Sequence, residues 1–185
     1  MRANLIVLFS LCLFVLPALA QTKAKQPVPS HAAAAAAATK PVAGPKAIGK
    51  FDDWTAATNA ESGQMACYAF TRASASAPAV SGRGDVVLTV TERPSLRDAV
   101  AVSAGFAYAA KATATATVEQ TTLDFYTAQR SAFARDGHAA VAAFHKGKQV
   151  VVRSPGPKKA QVSDTFSLRG FTAAYAAIIK ACPAK

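Results

Sequence analysis

Cys67 and Cys182 stand near opposite ends of the segment able to fold, and the chemistry open to them is oxidation to a disulfide. A third cysteine, Cys12, lies inside an N-terminal apolar run. If that run is a cleaved export signal, the mature chain keeps an even count in an oxidising compartment, which predicts one intramolecular bridge. Other candidate groups carry less. His138 and His145 fall on one helical pattern about 10.5 Å apart along the axis, too far for ordinary sharing of one ion. Gly44 to Lys50 has phosphate-loop spacing, but Phe51 stands where Ser or Thr should hold magnesium. Serine, histidine and aspartate occur without a nucleophile elbow or triad spacing. Arg83, Gly84 and Asp85 spell an integrin-type tripeptide, although Gly84 has a sufficient reason as a turn residue. No metal, cofactor or catalytic residue is expected, and the chain reads as a non-enzyme. A hydrolase with an unrecognised site and a small-ligand carrier are the alternatives.

The elements that must position the cysteines begin after two unlike segments. Residues 1–20 read as a signal peptide: Arg2, an apolar run from Leu5 to Val15 broken only by Ser10, and Ala18 and Ala20 at a small-x-small cleavage site. The run is shorter than the roughly 20 residues of a spanning helix. Leu11 before Cys12 argues against lipidation. Residues 21–50 hold five lysines, no acid and no aromatic, with an unbroken alanine run from Ala32 to Ala38 and prolines around it. Such a stretch buries too little to offset its ordering entropy, so it is expected to be a disordered linker. Residues 51–185 hold every aromatic residue beyond the signal and suit one domain.

Within that domain the dominant period is two. Val86, Leu88 and Val90 alternate with Val87, Thr89 and Thr91 until Pro94; Val100, Val102, Ala104 and Phe106 repeat the pattern. Ala112 to Glu119 alternates Ala with Thr, and Leu123 and Phe125 continue after a Glu119–Gln120 turn. With a strand at Cys67, Tyr68 and Phe70 and two more at Val150 to Val152 and Val162 to Leu168, seven strands suggest an antiparallel β-sandwich. Two helices are expected. One starts at an Asp136 N-cap and stops near Gly147; the other carries Phe171, Tyr175, Ile178 and Cys182 on one apolar stripe. The stripe aims Cys182 at the core. Ala69 shares the Cys67 face while Tyr68 and Phe70 take the other, so a bridge would clamp the last helix to an early strand.

Asp164 breaks the pattern, because it shares parity with Val162, Phe166 and Leu168 and a regular strand turns it inward. A bulge, or hydrogen bonds from loop amides, would make it a structural carboxylate, and a functional carboxylate is the alternative. The formal charge is +11. Lys23, Lys25, Lys40, Lys46 and Lys50 come without a neutralising acid, and Lys158 and Lys159 add a basic loop, so these seven are the candidate contacts to an anionic surface. Aromatic and basic residues interleave poorly, which together with export argues against nucleic acid.

The residues also resemble a known family, the invasion-associated locus B proteins of Gram-negative bacteria. The likeness runs from Lys50 to Trp54, through Cys67 to Ala69, Arg83 to Asp85 and Val90 to Pro94, then Lys146, Gly147 and Val150 to Val152. Its most specific part is the string from Ser163 to Ala174, followed by Ala181 and Cys182. The chain departs from the family in its long Ala, Lys and Pro segment and in the loop Ser154 to Lys159. The resemblance implies an immunoglobulin-like β-sandwich, a periplasmic or outer-surface location, and in pathogenic relatives a part in host-cell invasion with no established enzymatic activity. The partners expected are a protein or an anionic envelope component, with peripheral membrane contact.

Overall fold

The computed structural model describes residues 44–184. Eleven strands and two helices follow one another: β1 (Lys46–Phe51), β2 (Trp54–Glu61), β3 (Gln64–Arg72), β4 (Ala75–Ala77), β5 (Val87–Arg93), β6 (Leu96–Ser103), β7 (Thr113–Val118), β8 (Thr121–Ala128), β9 (Ser131–Ala134), α1 (Gly137–Phe144), β10 (Gln149–Pro155), β11 (Gln161–Ser167) and α2 (Phe171–Ala181). Every pairing is antiparallel, in the order β1-β2-β3-β5-β6-β9-β8-β7-β10-β11-β4. The mainly β fold with two helices, one of them C-terminal, is the one expected. Four strands more than the expected seven are present: β1, β2, β4 and β9.

The two layers anticipated from the sequence are parts of one hydrogen-bonded sheet. β3 pairs with β5, yet its continuation β4 pairs with β11, and Ser74 N donates to Thr165 O (2.8 Å) between them. The segment from Gln64 to Ala77 therefore lies at two places in the strand order and makes the sheet curl onto itself. Inward residues from distant strands meet in a single core: Trp54, Leu88, Val102, Phe125, Val150 and Phe166 are all essentially inaccessible. Alternation along β5 shows the cause, since Leu88, Val90 and Glu92 are buried while Thr89 and Thr91 are half-exposed.

One boundary needs correction. Lys46 to Lys50, expected in the disordered linker, form most of β1 and pair with Thr55 to Thr58 of β2. Backbone pairing fixes this strand despite its charge, and exposed Lys46 and Lys50 are residues that a sheet edge tolerates. Residues 21–43 of the expected linker, including Lys23, Lys25 and Lys40, lie outside the described residues, as does the expected signal peptide.

Both helices end as their sequences dictate. Asp136 caps α1 by accepting from Ala139 N at 2.8 Å, and Gly147 N closes the far end on Ala143 O. Ala140, Val141 and Phe144 face inward, with α1 packed on β6 and β8. Gly170 caps α2 at φ +88, a conformation open to glycine, and a Cβ there would overlap the Phe51 carbonyl. That close approach seats α2 on β1, β2 and β3 with Phe171, Ala174 and Ile178 buried.

Candidate functional site

Cys67 and Cys182 form the expected disulfide, with Cα atoms 5.9 Å apart. It joins β3 to the residue that ends α2, and both cysteines are buried. Trp54 stands on the neighbouring strand, its Nε1 donating to Ser167 O (2.9 Å) and its ring edge-on to Phe171.

Asp164 is turned inward as its parity requires, and it is held neither by a bulge nor by loop amides. The β10–β11 register is regular through it. Its partner is Arg83, whose Nη1 and Nη2 donate to Oδ1 and Oδ2 at 2.8 and 2.7 Å, while Ser76 Oγ donates to Oδ1 at 2.7 Å. The side chains are 7 % and 2 % exposed. Arg83 Nε also donates to Ala104 O, and its guanidinium lies over the Phe106 ring. Gly105, at φ +75 and packed so that a Cβ would overlap Gly84 O, lets the two loops meet. The integrin-type tripeptide is thereby dismantled: Arg83 is buried in a fork-to-fork pair, Gly84 N donates to Gly105 O, and Asp85 pairs with Arg72.

A second inward acid was not recognised from the sequence. Glu92, fully buried, accepts from Asp98 N at 3.1 Å, and Arg97 Nε lies 2.6 Å from its other oxygen but off line for a hydrogen bond. Arg97 Nη1 donates to Cys182 O. Asp98, at φ +53, accepts from Tyr175 on α2 (2.5 Å) and meets His138 Nδ1 on α1 (3.0 Å). Burial pushes the Glu92 carboxyl up to about 7, with the neighbouring Asp98 adding and Arg97 opposing. Burial also acts to raise Asp98, but the hydrogen bonds from Tyr175 and His138 outweigh it and hold the group below its ordinary value. The Tyr175 phenol is raised by burial and by its bond to Asp98. The signal was present in the sequence: Glu92 continues the inward parity of Leu88 and Val90, as Asp164 does on its own strand.

Asp98 and His138 resemble the orienting half of a triad, yet the third member of this network is Tyr175, bound to Asp98 and not to the imidazole. His145 contacts Thr172 Oγ1 instead, so the two histidines serve different neighbours. Among the described residues no three His, Cys, Asp or Glu side chains are grouped to hold a metal. The phosphate-loop spacing ending at Lys50 falls largely on the extended strand β1, which forms no cradle.

The exposed lysines are dispersed. Lys46 and Lys50 project from β1, and Lys158 projects from a short 3₁₀ turn, Pro157–Lys159, between β10 and β11. A depression of about 420 Å³ is lined by Lys50, Asp52, Asp53 and Arg72, of which Arg72 pairs with Asp85 and Asp53 with Arg169 outside the lining. A larger groove, about 600 Å³, runs over the outward faces of β5, β6, β9 and β8. Its floor is Thr89, Thr91, Ala99 and Ala101, and its wall is Tyr126 stacked on Phe133 (5.4 Å, 24°). Arg135 lies over the Tyr126 ring at 5.8 Å, which joins aromatic and basic groups that the sequence had seemed to keep apart.

With that geometry in view, residues 54–179 match the family model described as invasion associated locus B (IalB) protein. The chain belongs to the IalB family. Among solved structures the IalB-type domain is similar to the crystal structure of invasion associated protein b from Bartonella henselae, at 15 % identity and a TM-score of 0.53, covering 72 % of this chain and 95 % of that one. At that identity the likeness establishes the IalB fold. The comparison with curated proteins gives no match. The matched IalB segment contains both inward acids, Glu92 and Asp164, and the first cysteine of the bridge.

Proposed function

We propose that this IalB-family protein is an exported, non-enzymatic envelope protein that works by binding a macromolecular partner or an anionic surface, in the periplasm or outside the cell. The observation that carries the reading is the buried Cys67–Cys182 bridge, because a core disulfide of this kind belongs to an oxidising compartment. Family membership supports an association with invasion and with the envelope. The formal charge of +11 and the exposed Lys46, Lys50 and Lys158 support attraction to anionic surfaces, with Lys23, Lys25, Lys40 and Lys159 adding to it. A hydrolase would need a nucleophile on His138, and the side chain in that network is a tyrosine bound to the carboxylate.

The test couples location to charge. Cell fractionation with thiol labelling of the unfolded, unreduced protein should place the chain outside the cytoplasm with no reactive cysteine beyond the signal. Neutralising Lys23, Lys25, Lys40, Lys46 and Lys50 should weaken binding to anionic liposomes or lipopolysaccharide, as should about 0.5 M salt, where screening lengths fall to about 4 Å. A cytoplasmic, reduced protein refutes export. Binding indifferent to both charge and salt refutes the electrostatic part.

A further inference from the structure

The groove over β5, β6, β9 and β8 differs from a merely solvated sheet face. Its floor is made of small side chains, its wall of two stacked aromatic rings, and at the β5–β6 hairpin Leu96 stands 52 % exposed with Tyr126, across the groove, 44 % exposed. Three guanidinium groups border this apolar surface: Arg93, Arg97 and Arg135. Arg97 is already held, its Nε beside Glu92 and its Nη1 donating to Cys182 O. Glu92 is fully buried, and Asp98 is 12 % exposed with its oxygens taken by Tyr175 and His138. Arg93 shares Glu61, and Arg135 has no ion-pair partner among the described residues. An approaching ligand therefore meets one unpaired guanidinium, that of Arg135, beside a floor of alanine and threonine side chains.

We propose that this groove docks an acidic peptide segment that carries apolar side chains and is presented in extended form by a protein partner. The proposal rests on the reading of the protein as a binding module and names the site and the chemistry of its partner. Three features select a peptide. The unpaired Arg135 offers its fork to a carboxylate in a bidentate manner. Leu96, Ala99 and Ala101 offer aliphatic contact that a polyhydroxylated saccharide would leave largely unused. The volume falls within the range of about 300–1,000 Å³ typical of ligand sites, and its lining extends along β6 from the Arg93–Leu96 pair to the Ser103–Ser131 pair. The lysine-rich segment before β1 has the wrong sign to occupy it.

Panning phage-displayed random octapeptides on the full, oxidised protein tests this. Enriched sequences should place Asp or Glu beside Leu, Ile or Phe, and a synthetic copy should bind in fluorescence anisotropy. Arg135→Glu and Tyr126→Ala should each weaken it at least about tenfold; Arg135→Glu, at an exposed side chain, should leave thermal unfolding unchanged, and Tyr126→Ala, which loses the stacked pair with Phe133, should lower it by only a few degrees with the protein still folded. No enrichment, enrichment of sequences without acids, or indifference to both substitutions overturns the proposal. So does polyuronate binding more tightly than the peptide and lost with the same substitutions. A photo-crosslinker in cells separates the two levels: capture of a protein from Phe133 but not from Arg153 on another face supports the groove. Capture only from Arg153 overturns the groove while leaving partner binding intact, and capture from neither overturns both.

Discussion

Replacing Arg83 by methionine should expose how much of this fold depends on its buried ion pair. The substitution keeps an unbranched apolar stem near Phe106 but removes two of the three hydrogen bonds that Asp164 accepts, leaving only Ser76 Oγ. Hydrogen bonds to a charged group contribute about 1.5–3 kcal/mol each, and breaking one partner out of a buried pair costs about 3–5 kcal/mol, so the two routes agree on about 4 kcal/mol. That is a large share of the roughly 5–15 kcal/mol available to a domain. Urea unfolding followed through Trp54, the single tryptophan and fully buried, should show the midpoint falling by about 2 M. The double variant Arg83→Met, Asp164→Leu should recover most of the loss, since an apolar replacement of a buried pair is often neutral. A loss below about 1 kcal/mol in the single variant, or a double variant as unstable as the sum of the two single losses, would refute the view that Asp164 is held by Arg83.

Two further outcomes follow from the same interior. Glu92 ionises near 7 in the fold against an ordinary 4.5, so the folded state binds more protons between those values; stability should fall as pH rises through that window, by up to about 3 kcal/mol. Glu92→Gln should flatten the dependence in thermal melts from pH 4 to pH 8, and a profile unchanged by it would contradict the assignment. Reducing Cys67–Cys182, which closes a loop of 115 residues, should cost about 5 kcal/mol in the chain-entropy account, read as a lower urea midpoint with reductant than without.

Strands with strict alternation were legible from sequence because one face is buried and the other is not; β5 and β7 announce themselves through valine, leucine or alanine opposite threonine, and β6 and β8 through Val100 and Val102 or Leu123 and Phe125 at every second position. β1 was hidden because its lysines look like linker and its stability comes from backbone pairing with β2. β2 was hidden by its alanines, which serve both inside and outside, and β4 and β9 are too short, at three and four residues, to show a period. The curl of the sheet was illegible for another reason: it depends on Ser74 meeting Thr165, a contact between residues far apart in the chain. Asp164 could be placed inward but its partner could not be named, since Arg83 sits in a tripeptide that suggested exposure. The groove escaped notice because its parts, Thr89 to Arg135, converge only when β9 inserts between β6 and β8.

The bridge between β3 and the end of α2 also governs what happens after cleavage. A protease that cuts any one peptide bond between Cys67 and Cys182 produces two pieces that remain covalently one molecule. Each piece stays tethered beside its complement at an effective concentration on the order of millimolar, so separation is replaced by local opening and reclosure. A nicked molecule keeps its mass and most of its packing, and only reduction releases the halves. The disulfide thus gives the domain resistance to fragmentation in protease-rich surroundings, a property separate from any gain in equilibrium stability.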